Sequence, residues 1–370
     1  MTSVSFTGDI AFSKYFRDSW NDRFLDERII KFLSDSDHVV ANVEAPLTQA
    51  AISSTREINH LCPPESANWL KGISADIWTI ANNHILDCAE TGMLDTISAA
   101  HKIGATTIGA GSNVEEAEKP VILNCDGGIG IFSVTYKRGE FIRATETNAG
   151  CVLFDDTKRI KKIIKEIKAT NRWCVIIAHG GDEFAPLPMP YIRKLYRSFL
   201  KMGADIVVGH HPHVVQHYEK HGEKMIFYSL GNFVFDTDYQ RKQKHSEYGI
   251  LLKINFTEEN FSWDYMATKV NRVLQTVEKT EAPVIFSGVT KRNYGLLWPL
   301  AAKEFAKNFV TAKTFVLPKT KAYNGFQWFN THIEKIGLKN TLCLYFGRFV
   351  SCFRLWKLGS RELIEYINER

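Results

Sequence analysis

Residues 205–213, with the sequence Asp205-Ile-Val-Val-Gly-His-His-Pro-His213, place three histidines directly after a short apolar run. An apolar run of this length that ends in glycine predicts a buried β-strand. In extended backbone the side chains at positions i and i+2 point to the same face, so we expect His211 and His213 to project together. Neutral imidazole is the commonest protein ligand for first-row metal ions. The stretch therefore predicts half of a metal site at a strand end.

Four other segments repeat this construction, because each ends a predicted strand in carboxylate, amide or imidazole side chains. They are residues 4–9, 38–44, 76–87 and 174–183. The side chains at or just beyond these strand ends are Asp9, Asn42, Glu44, Asn83, His84, Asp87, His179 and Glu183. In open α/β sheets, ligands bind in the crevice at the carboxyl ends of the strands. The sequence therefore predicts an α/β fold that gathers metal ligands from distant segments at one edge.

Each segment taken alone also has a purely structural explanation. Asp9 follows a glycine and is typical of a turn, and Asn42 with Glu44 is compatible with a polar strand exit. Asn83 follows another asparagine, which favours an Asx turn, and a single His84 is compatible with a hydrogen-bonded core histidine. The repetition of such residues at five equivalent strand ends favours the metal site over these separate explanations.

The ordered motifs resemble the CapA family of bacterial capsule and poly-γ-glutamate biosynthesis proteins, a branch of the calcineurin-like metallophosphoesterase fold. The resemblance covers residues 1 to about 255. The motifs that carry it are Phe6-Thr-Gly-Asp9, Asn42-Val-Glu-Ala-Pro-Leu-Thr48, Ala81-Asn-Asn-His-Ile-Leu-Asp87, His179-Gly-Gly-Asp-Glu183, Gly209-His-His-Pro-His-Val214 and Tyr228-Ser-Leu-Gly-Asn-Phe233. The resemblance implies an αββα sandwich with a dinuclear metal centre.

The resemblance also assigns roles to individual residues. The implied metal ligands are Asp9, Glu44 as the bridging carboxylate, Asn83, His179, His211 and His213, with His210 as an alternative to either of its neighbours. The implied catalytic pair is His84, as the general acid, and Asp87, which orients it unless it is an ordinary first-turn helix carboxylate. The predicted substrate-binding residues are Asn42, Glu183 and Asn232, of which Asn232 is also compatible with a turn cap.

Three positions depart from the pattern of the wider fold. Ala11 stands where a histidine ligand is usual, Glu44 replaces an aspartate, and Gly180 replaces the tryptophan common after the family's histidine. The set of oxygen and nitrogen ligands still predicts two divalent ions, Mn²⁺ first, with Fe²⁺ or Zn²⁺ as alternatives. The loss of a histidine at position 11 predicts that the second ion binds more weakly.

The length of 370 residues and the apolar content of 45% predict a large folded protein with more than one unit. We expect a catalytic domain at residues 1–256, a connecting segment at 257–290 and a helical extension at 291–370. The extension is aromatic and holds fourteen Lys and Arg against five Asp and Glu, a net charge of +9 within a chain of +5.

Three interpretations of residues 291–370 stay open. A basic amphipathic helix with aromatic residues is typical of a peripheral membrane contact. The same composition suits contact with a synthesis complex or an anionic polymer precursor, and a packed helical subdomain is the third interpretation. We expect no nucleic acid partner, because no base-reading motif is present.

Seven scattered cysteines without paired spacing predict reduced thiols. With the first predicted strand beginning near Met1 and no long apolar run, the sequence predicts a cytoplasmic protein, peripheral at the inner face of the membrane.

The resulting hypothesis is a metal-dependent hydrolase of phosphoesters, a phosphomonoesterase or phosphodiesterase, acting in capsule, surface-polysaccharide or anionic-polymer biosynthesis. A metal-activated water would attack, and His84 would supply the acid. The alternatives are an amide-directed enzyme and a non-catalytic accessory protein of poly-γ-glutamate or capsule polymer synthesis that binds an acidic polymer. The absence of a histidine at Ala11 favours the accessory role, whereas His84 beside Asn83 favours catalysis.

Overall fold

A computed structural model describes residues 1–19, 23–54, 58–125, 127–136, 143–290, 292–298 and 300–301 of the chain. In this part of the chain two β-sheets pack face to face, and helices cover their outer faces. Parallel strands need long crossover connections, which the helices supply. The α/β prediction with an αββα order of layers is confirmed.

The first sheet has eight strands among the described residues, in the order β16-β15-β14-β1-β2-β3-β4, with β13 also paired to β1. They are β1 (Thr2–Ile10), β2 (His38–Val43), β3 (Ala75–Thr79), β4 (Thr106–Ile108), β13 (Asn232–Val234), β14 (Tyr248–Phe256), β15 (Phe261–Asn271) and β16 (Thr276–Thr280). Strands β1 to β4 are parallel to one another, so their carboxyl ends lie at one edge.

The second sheet has six strands in the described part of the chain, in the order β11-β12-β10-β9-β7-β6. They are β6 (Val121–Leu123), β7 (Ile129–Thr135), β9 (Trp173–His179), β10 (Ile206–His210), β11 (Tyr218–His221) and β12 (Lys224–Phe227). Its central strands β7, β9, β10 and β12 are parallel. A short antiparallel pair, β5 (Ala110–Gly111) and β8 (Gly150–Cys151), completes the strands.

The described helices are α1 (Glu27–Ser34), α2 (Ser66–Gly72), α3 (Ala89–Lys102), α4 (Val114–Glu118), α5 (Thr157–Thr170), α6 (Pro190–Met202) and α7 (Asp238–Arg241), with a 3₁₀ turn at Lys14–Phe16. Helix α5 shows why these segments are helical. Its four isoleucines recur at spacings of three and four residues and are buried, while lysines occupy the other face. Helix α6 begins with Pro190 at its first position and ends at Gly203, which has a positive φ of 125°.

Alternation along the strands separates three apolar clusters. Val175 and Ile177 of β9 point between the sheets, where they meet Val4 and Phe6 of β1. The intervening Ile176 points outward and packs under α5 and α6. A third cluster fills the space between the first sheet and helices α1, α2 and α3. The site described below lies at the carboxyl ends of the strands that enclose the central cluster.

A register irregularity in β1 decides where Asp9 points. Val4 and Phe6 face the second sheet, but Ile10 belongs to the outer cluster, although it is also even-numbered. The pairing of β1 with β2 shifts between Phe6 and Asp9, as expected for a β-bulge. The shift turns Asp9 toward the space between the sheets.

The predicted connecting segment, residues 257–290, contains two strands of the first sheet instead. β15 pairs with β14 along nine positions, and β16 pairs with β15. The segment is polar because one face of these strands is open to solvent. In the sequence alone, this polar composition resembles that of a linker. Tyr294, Leu297 and Trp298 of the predicted extension are buried in the central cluster. The remainder of that extension, residues 302–370, lies outside the described residues.

Two further expectations can be compared with the described part of the chain. Its five cysteines, Cys62, Cys88, Cys125, Cys151 and Cys174, are all free thiols. None of its helices combines the length and the apolar character that crossing a bilayer requires.

Candidate metal centre

Four strand ends bring carboxylates and imidazoles together between the two sheets. Asp9 comes from β1, Glu44 follows β2, His179 ends β9, and His211 with His213 follows β10. All five side chains are buried. Parallel neighbours on both sheets place these residues at one edge, which is the crevice that the sequence predicted.

Among the described residues, two groups of side chains have ligand atoms that lie within 4.8 Å of one another. One group is Glu44, His211 and His213, and the other is Asp9, Glu44 and His179. Glu44 belongs to both groups, as a carboxylate that bridges two ions must. Neither group contains His210.

Glu44 provides the test of whether this site suits metal ions. Its side chain is completely buried, and neither carboxylate oxygen accepts a hydrogen bond. Burial, only partly opposed by the charge of His213, raises the pKa of Glu44 well above its usual value. Buried charges of this kind are found where they are paired or coordinate a metal. Carboxylate and imidazole donors around such a residue fit divalent ions of the Mn²⁺, Fe²⁺ and Zn²⁺ class.

Asp9 is held by four neighbours, of which one is the backbone N–H of His211, 3.4 Å from Oδ2. Asn42 donates from Nδ2 to Asp9 Oδ1 at 2.8 Å, and His210 Nδ1 lies 2.9 Å from the same oxygen. His213 Nδ1 lies 3.1 Å from Oδ2. Burial by itself would raise the pKa of Asp9, but the hydrogen bonds from His210 and His213 hold it well below its usual value. Asp9 is therefore a carboxylate anion, the form that binds metal ions.

His213 is oriented by two acceptors on its Nδ1. Asn232 Oδ1 lies 3.0 Å from this nitrogen, and Asp9 Oδ2 lies on the same side. Because carboxylate and carbonyl oxygens only accept, Nδ1 carries the proton and Nε2 faces Glu44 Oε1 at 3.4 Å. Burial would lower the pKa of His213, but the charges of Glu44 and Asp9 raise it to about 10. In the metal-free chain the carboxylates therefore favour the protonated ring, and Nε2 must lose its proton before it can bind a metal ion.

His179 converges with two other predicted ligands. Its Nε2 lies 2.8 Å from Asn83 Oδ1 and 3.4 Å from Glu44 Oε1. Its Nδ1 lies 3.5 Å from Asn42 Nδ2. Burial lowers the pKa of His179 well below its usual value, so the ring is neutral. The neutral His179 ring, the side-chain carbonyl of Asn83 and the carboxylate of Glu44 therefore lie next to one another.

The predicted catalytic pair lies beside this convergence. His84 Nδ1 is 2.6 Å from Asp87 Oδ2, and both side chains are buried. The same oxygen accepts the backbone N–H of His60 at 2.8 Å, and the His60 ring contacts the His84 ring edge-on at 4.3 Å. Asp87 therefore fixes the orientation of the His84 ring.

The histidine tract departs from the extended geometry expected of it. β10 ends at His210, and His211 and His213 have positive φ angles of 94° and 56°. Non-glycine residues rarely adopt this region, and such strain concentrates at functional sites. The two rings still reach the same ligand group, but through turns on both sides of Pro212 instead of strand alternation.

Comparison with known proteins agrees with these motifs. The family model described as "Bacterial capsule synthesis protein PGA_cap" matches residues 3–237. The chain belongs to this family. The PGA biosynthesis protein CapA of Bacillus subtilis is 32% identical over 262 residues, which are 69% of each chain. The capsule biosynthesis protein CapA of Bacillus anthracis is 29% identical over 253 residues, 65% of this chain and 61% of that protein. The predicted resemblance to CapA is confirmed.

A solved structure shows a more distant likeness. It is that of a Staphylococcus aureus protein, provisionally assigned as a 5′-nucleotidase, in complex with α-ketoglutarate. It is 11% identical, covers 79% of this chain and 56% of its own, and has a TM-score of 0.46.

One departure from the PGA_cap pattern has a steric explanation. A Cβ atom on Gly180 would lie 2.5 Å from a ring carbon of Phe154 and 3.0 Å from the Cβ of Tyr136. Position 180 therefore accepts no side chain while Phe154 fills the space beside the β9 end. Ala11 is fully buried and offers no ligand.

Two residues predicted to bind substrate form hydrogen bonds to other residues of the site. Asn42 donates to Asp9. Asn232 uses Oδ1 on His213, and its Nδ2 donates to His213 O, Gln240 Oε1 and Ser246 O. Asn232 is completely buried, so protein atoms occupy both ends of its amide. The third residue, Glu183, is half-buried, and its charge acts on Glu44 and His213.

Asn232→Ala removes the acceptor that orients His213. We expect the affinity for Mn²⁺ to fall about tenfold or more, which isothermal titration calorimetry measures, because partners that orient a ligand set its affinity. Gln240→Ala is the control, since Gln240 contacts Asn232 Nδ2 at 2.9 Å without touching the imidazole. Unchanged Mn²⁺ affinity in Asn232→Ala would leave the predicted substrate-binding role standing.

Some residues around the site carry no recognisable sequence signal. His60 lies in a loop outside any strand, and Tyr196 lies within a helix whose apolar spacing predicts only core packing. Tyr136, whose ring lies 4.6 Å from that of His211, follows β7 without a polar strand-end motif. Their positions become apparent only in three dimensions.

Proposed function

We propose that this chain is a metal-dependent phosphoester hydrolase that acts on a precursor of a capsule or other anionic surface polymer. Membership of the PGA_cap family supports the link to capsule synthesis. The nature of the ester bond is inferred from the chemistry of the site. Mn²⁺ is the first candidate ion, followed by Fe²⁺ and Zn²⁺.

The observation that carries this proposal is the shared Glu44. A buried carboxylate with no hydrogen bond to either oxygen stands between two groups of candidate ligands. Asp9 and His179 would hold one ion with Asn83, and His211 and His213 would hold the other. Two divalent ions would activate a water molecule and neutralise charge on a phosphoryl group in such a site.

The remaining chemistry belongs to the side chains of the protein. His84, oriented through Nδ1 by Asp87, would protonate a leaving oxygen. Burial of the whole group excludes bulk water and strengthens each electrostatic interaction.

The proposed partner is a phosphorylated or anionic polymer precursor at the cytoplasmic side of the membrane. Contact with a membrane or a synthesis complex through residues 291–370 remains part of this proposal. Most of that segment lies outside the described residues.

An accessory role without turnover is the second candidate. Ala11 favours it, because this buried position supplies no ligand to a second ion. In that case the centre would bind metal ions and, through them, an acidic polymer, without turnover. Amide hydrolysis at the same centre is a third outcome that the experiment below separates.

The test combines elemental analysis with hydrolysis of p-nitrophenyl phosphate and bis-p-nitrophenyl phosphate in Mn²⁺. We expect two equivalents of metal and turnover of at least one ester. His211→Ala should lose one equivalent and about 10²-fold in rate, as for loss of one electrostatic stabiliser. His101→Ala, at an exposed histidine of α3, is the control. Bound metal without turnover of either ester would favour the accessory role or an amide substrate, to be assayed with a γ-glutamyl peptide.

A further inference from the structure

Tyr196 of α6 contacts the carbonyl oxygens of the two residues on either side of His179. Its side chain is completely buried, and its hydroxyl lies 3.0 Å from Ala178 O and 3.3 Å from Gly180 O. One hydroxyl hydrogen is therefore shared by two carbonyl oxygens. These carbonyls flank the residue that converges with Asn83 and Glu44 at the candidate metal centre.

The backbone of His179 is fixed on its other side as well. Its own carbonyl accepts from Thr135 Oγ1 at 3.1 Å and from the N–H of Tyr136 at 3.0 Å. The next N–H, on Gly180, donates to His210 O at 3.0 Å. β7 and β10 thus hold the strand end laterally, and Tyr196 adds the contact from the helix layer.

Tyr196 packs against a polar network that includes two arginines of the same helix. Its ring stacks on that of Tyr228 at 5.7 Å and 7°, and Tyr228 donates to Glu219 Oε2 at 2.9 Å. Arg193 donates to Glu219 from Nε at 2.9 Å and Nη2 at 3.1 Å, and Arg197 also donates to Glu219. Arg193, Tyr196 and Arg197 lie on one face of α6, so this face contacts both Glu219 and the end of β9.

The hydroxyl is a permanent donor. Burial raises the pKa of Tyr196, and the charge of Asp9 raises it further. The group therefore stays protonated at neutral pH. A phenylalanine at position 196 would fill the same volume as the tyrosine ring. Loss of the hydroxyl alone therefore tests the positioning role separately from core packing.

We propose that Tyr196 is a positioning residue, which fixes the orientation of the His179 imidazole for metal binding through the two flanking carbonyls. The stacked ring of Tyr228 keeps the Tyr196 ring in place, and this contact does not depend on the Tyr228 hydroxyl. The inference rests on the metal centre of the proposed function. It adds a residue that touches neither metal nor substrate and acts through the backbone.

The test compares Tyr196→Phe with Tyr228→Phe. Each variant removes one buried hydroxyl from the same stacked pair, and only the first releases the carbonyls beside His179. Isothermal titration of the metal-free chain with Mn²⁺ should show about a tenfold loss of affinity in Tyr196→Phe and none in Tyr228→Phe. Urea unfolding of both variants shows whether their stabilities fall by similar amounts. Equal Mn²⁺ affinities in the two variants would overturn the inference.

A second measurement separates this inference from the proposed function. Amide hydrogen exchange of the metal-free chain should be faster at residues 179–181 in Tyr196→Phe alone. If the wild-type chain binds no metal ion, the proposed function fails, and the exchange result decides whether Tyr196 fixes the strand end. Unchanged or equally changed exchange in the two variants overturns the role of Tyr196 without bearing on hydrolysis.

Discussion

Replacing Glu44 by glutamine is expected to abolish binding of both metal ions and to reduce hydrolysis by at least about 10²–10³-fold. Glu44 is the one residue common to both ligand groups among the described residues, so its charge acts on both ions. No hydrogen bond to its oxygens is lost in the substitution, because none is present. The metal-free variant should therefore stay folded.

Thermal unfolding with and without Mn²⁺ measures this effect directly. A ligand at about 1,000 times its Kd stabilises the folded state by about 4 kcal/mol. We expect the wild-type midpoint to rise on adding Mn²⁺ and the Glu44→Gln midpoint to stay constant. Glu183→Gln is the matched control, since Glu183 is a half-buried carboxylate close enough to act on Glu44 but belongs to neither ligand group. Retention of two metal equivalents by Glu44→Gln would contradict the bridging role.

The positions of Asn42 and Glu44 show what strand periodicity can predict. Asn42 is the second residue after Val40, and Glu44 is the fourth. Val40 faces the second sheet, and every second residue of a regular strand lies on the same side, so all three point the same way. By the same alternation His179 points between the sheets, because it is the second residue after Ile177 and the fourth after Val175, which both point there. Apolar runs that end in polar residues therefore identify these positions without a structure.

The location of Asp9 could not be obtained in this way. Strict alternation from Val4 and Phe6 would turn Asp9 to the outer face, toward helices α1 to α3. The register shift between Phe6 and Asp9 reverses this. A bulge of this kind depends on pairing with β2, β13 and β14, and local sequence carries little information about it. The motif resemblance found Asp9, whereas periodicity would have misplaced it.

The outcome for His211 and His213 has a related cause. Strand alternation was the reason to expect them on one face, yet positive φ angles at both residues bring them to the same ligand group. The Asn232 amide that orients His213 is nineteen residues further along the chain. Contacts of this range arise from the packing of β10 against the first sheet, so the sequence pattern suggested a substrate contact at Asn232 instead.

His84→Ala is expected to slow hydrolysis by about 10²–10⁴-fold for an ester with an alkoxide leaving group, while metal content stays unchanged. The reason is the geometry of the pair. Asp87 Oδ2 lies 2.6 Å from His84 Nδ1 and so orients the ring that would deliver the proton. A phenolate such as p-nitrophenolate leaves readily without protonation, so the same variant should lose far less activity on p-nitrophenyl phosphate.

The ratio of the two losses is what identifies an acid. Glycerol phosphate and p-nitrophenyl phosphate share the phosphoryl group that the metal ions would contact, and they differ in the oxygen that departs. A defect in metal binding or substrate positioning would lower both rates equally, whereas loss of proton delivery lowers only the first. His60→Phe serves as the control, because it replaces the ring that contacts His84 and leaves the His84–Asp87 hydrogen bond in place. Equal losses on both esters in His84→Ala would assign the residue to orientation of the substrate, and loss of metal would assign it to the ligand set.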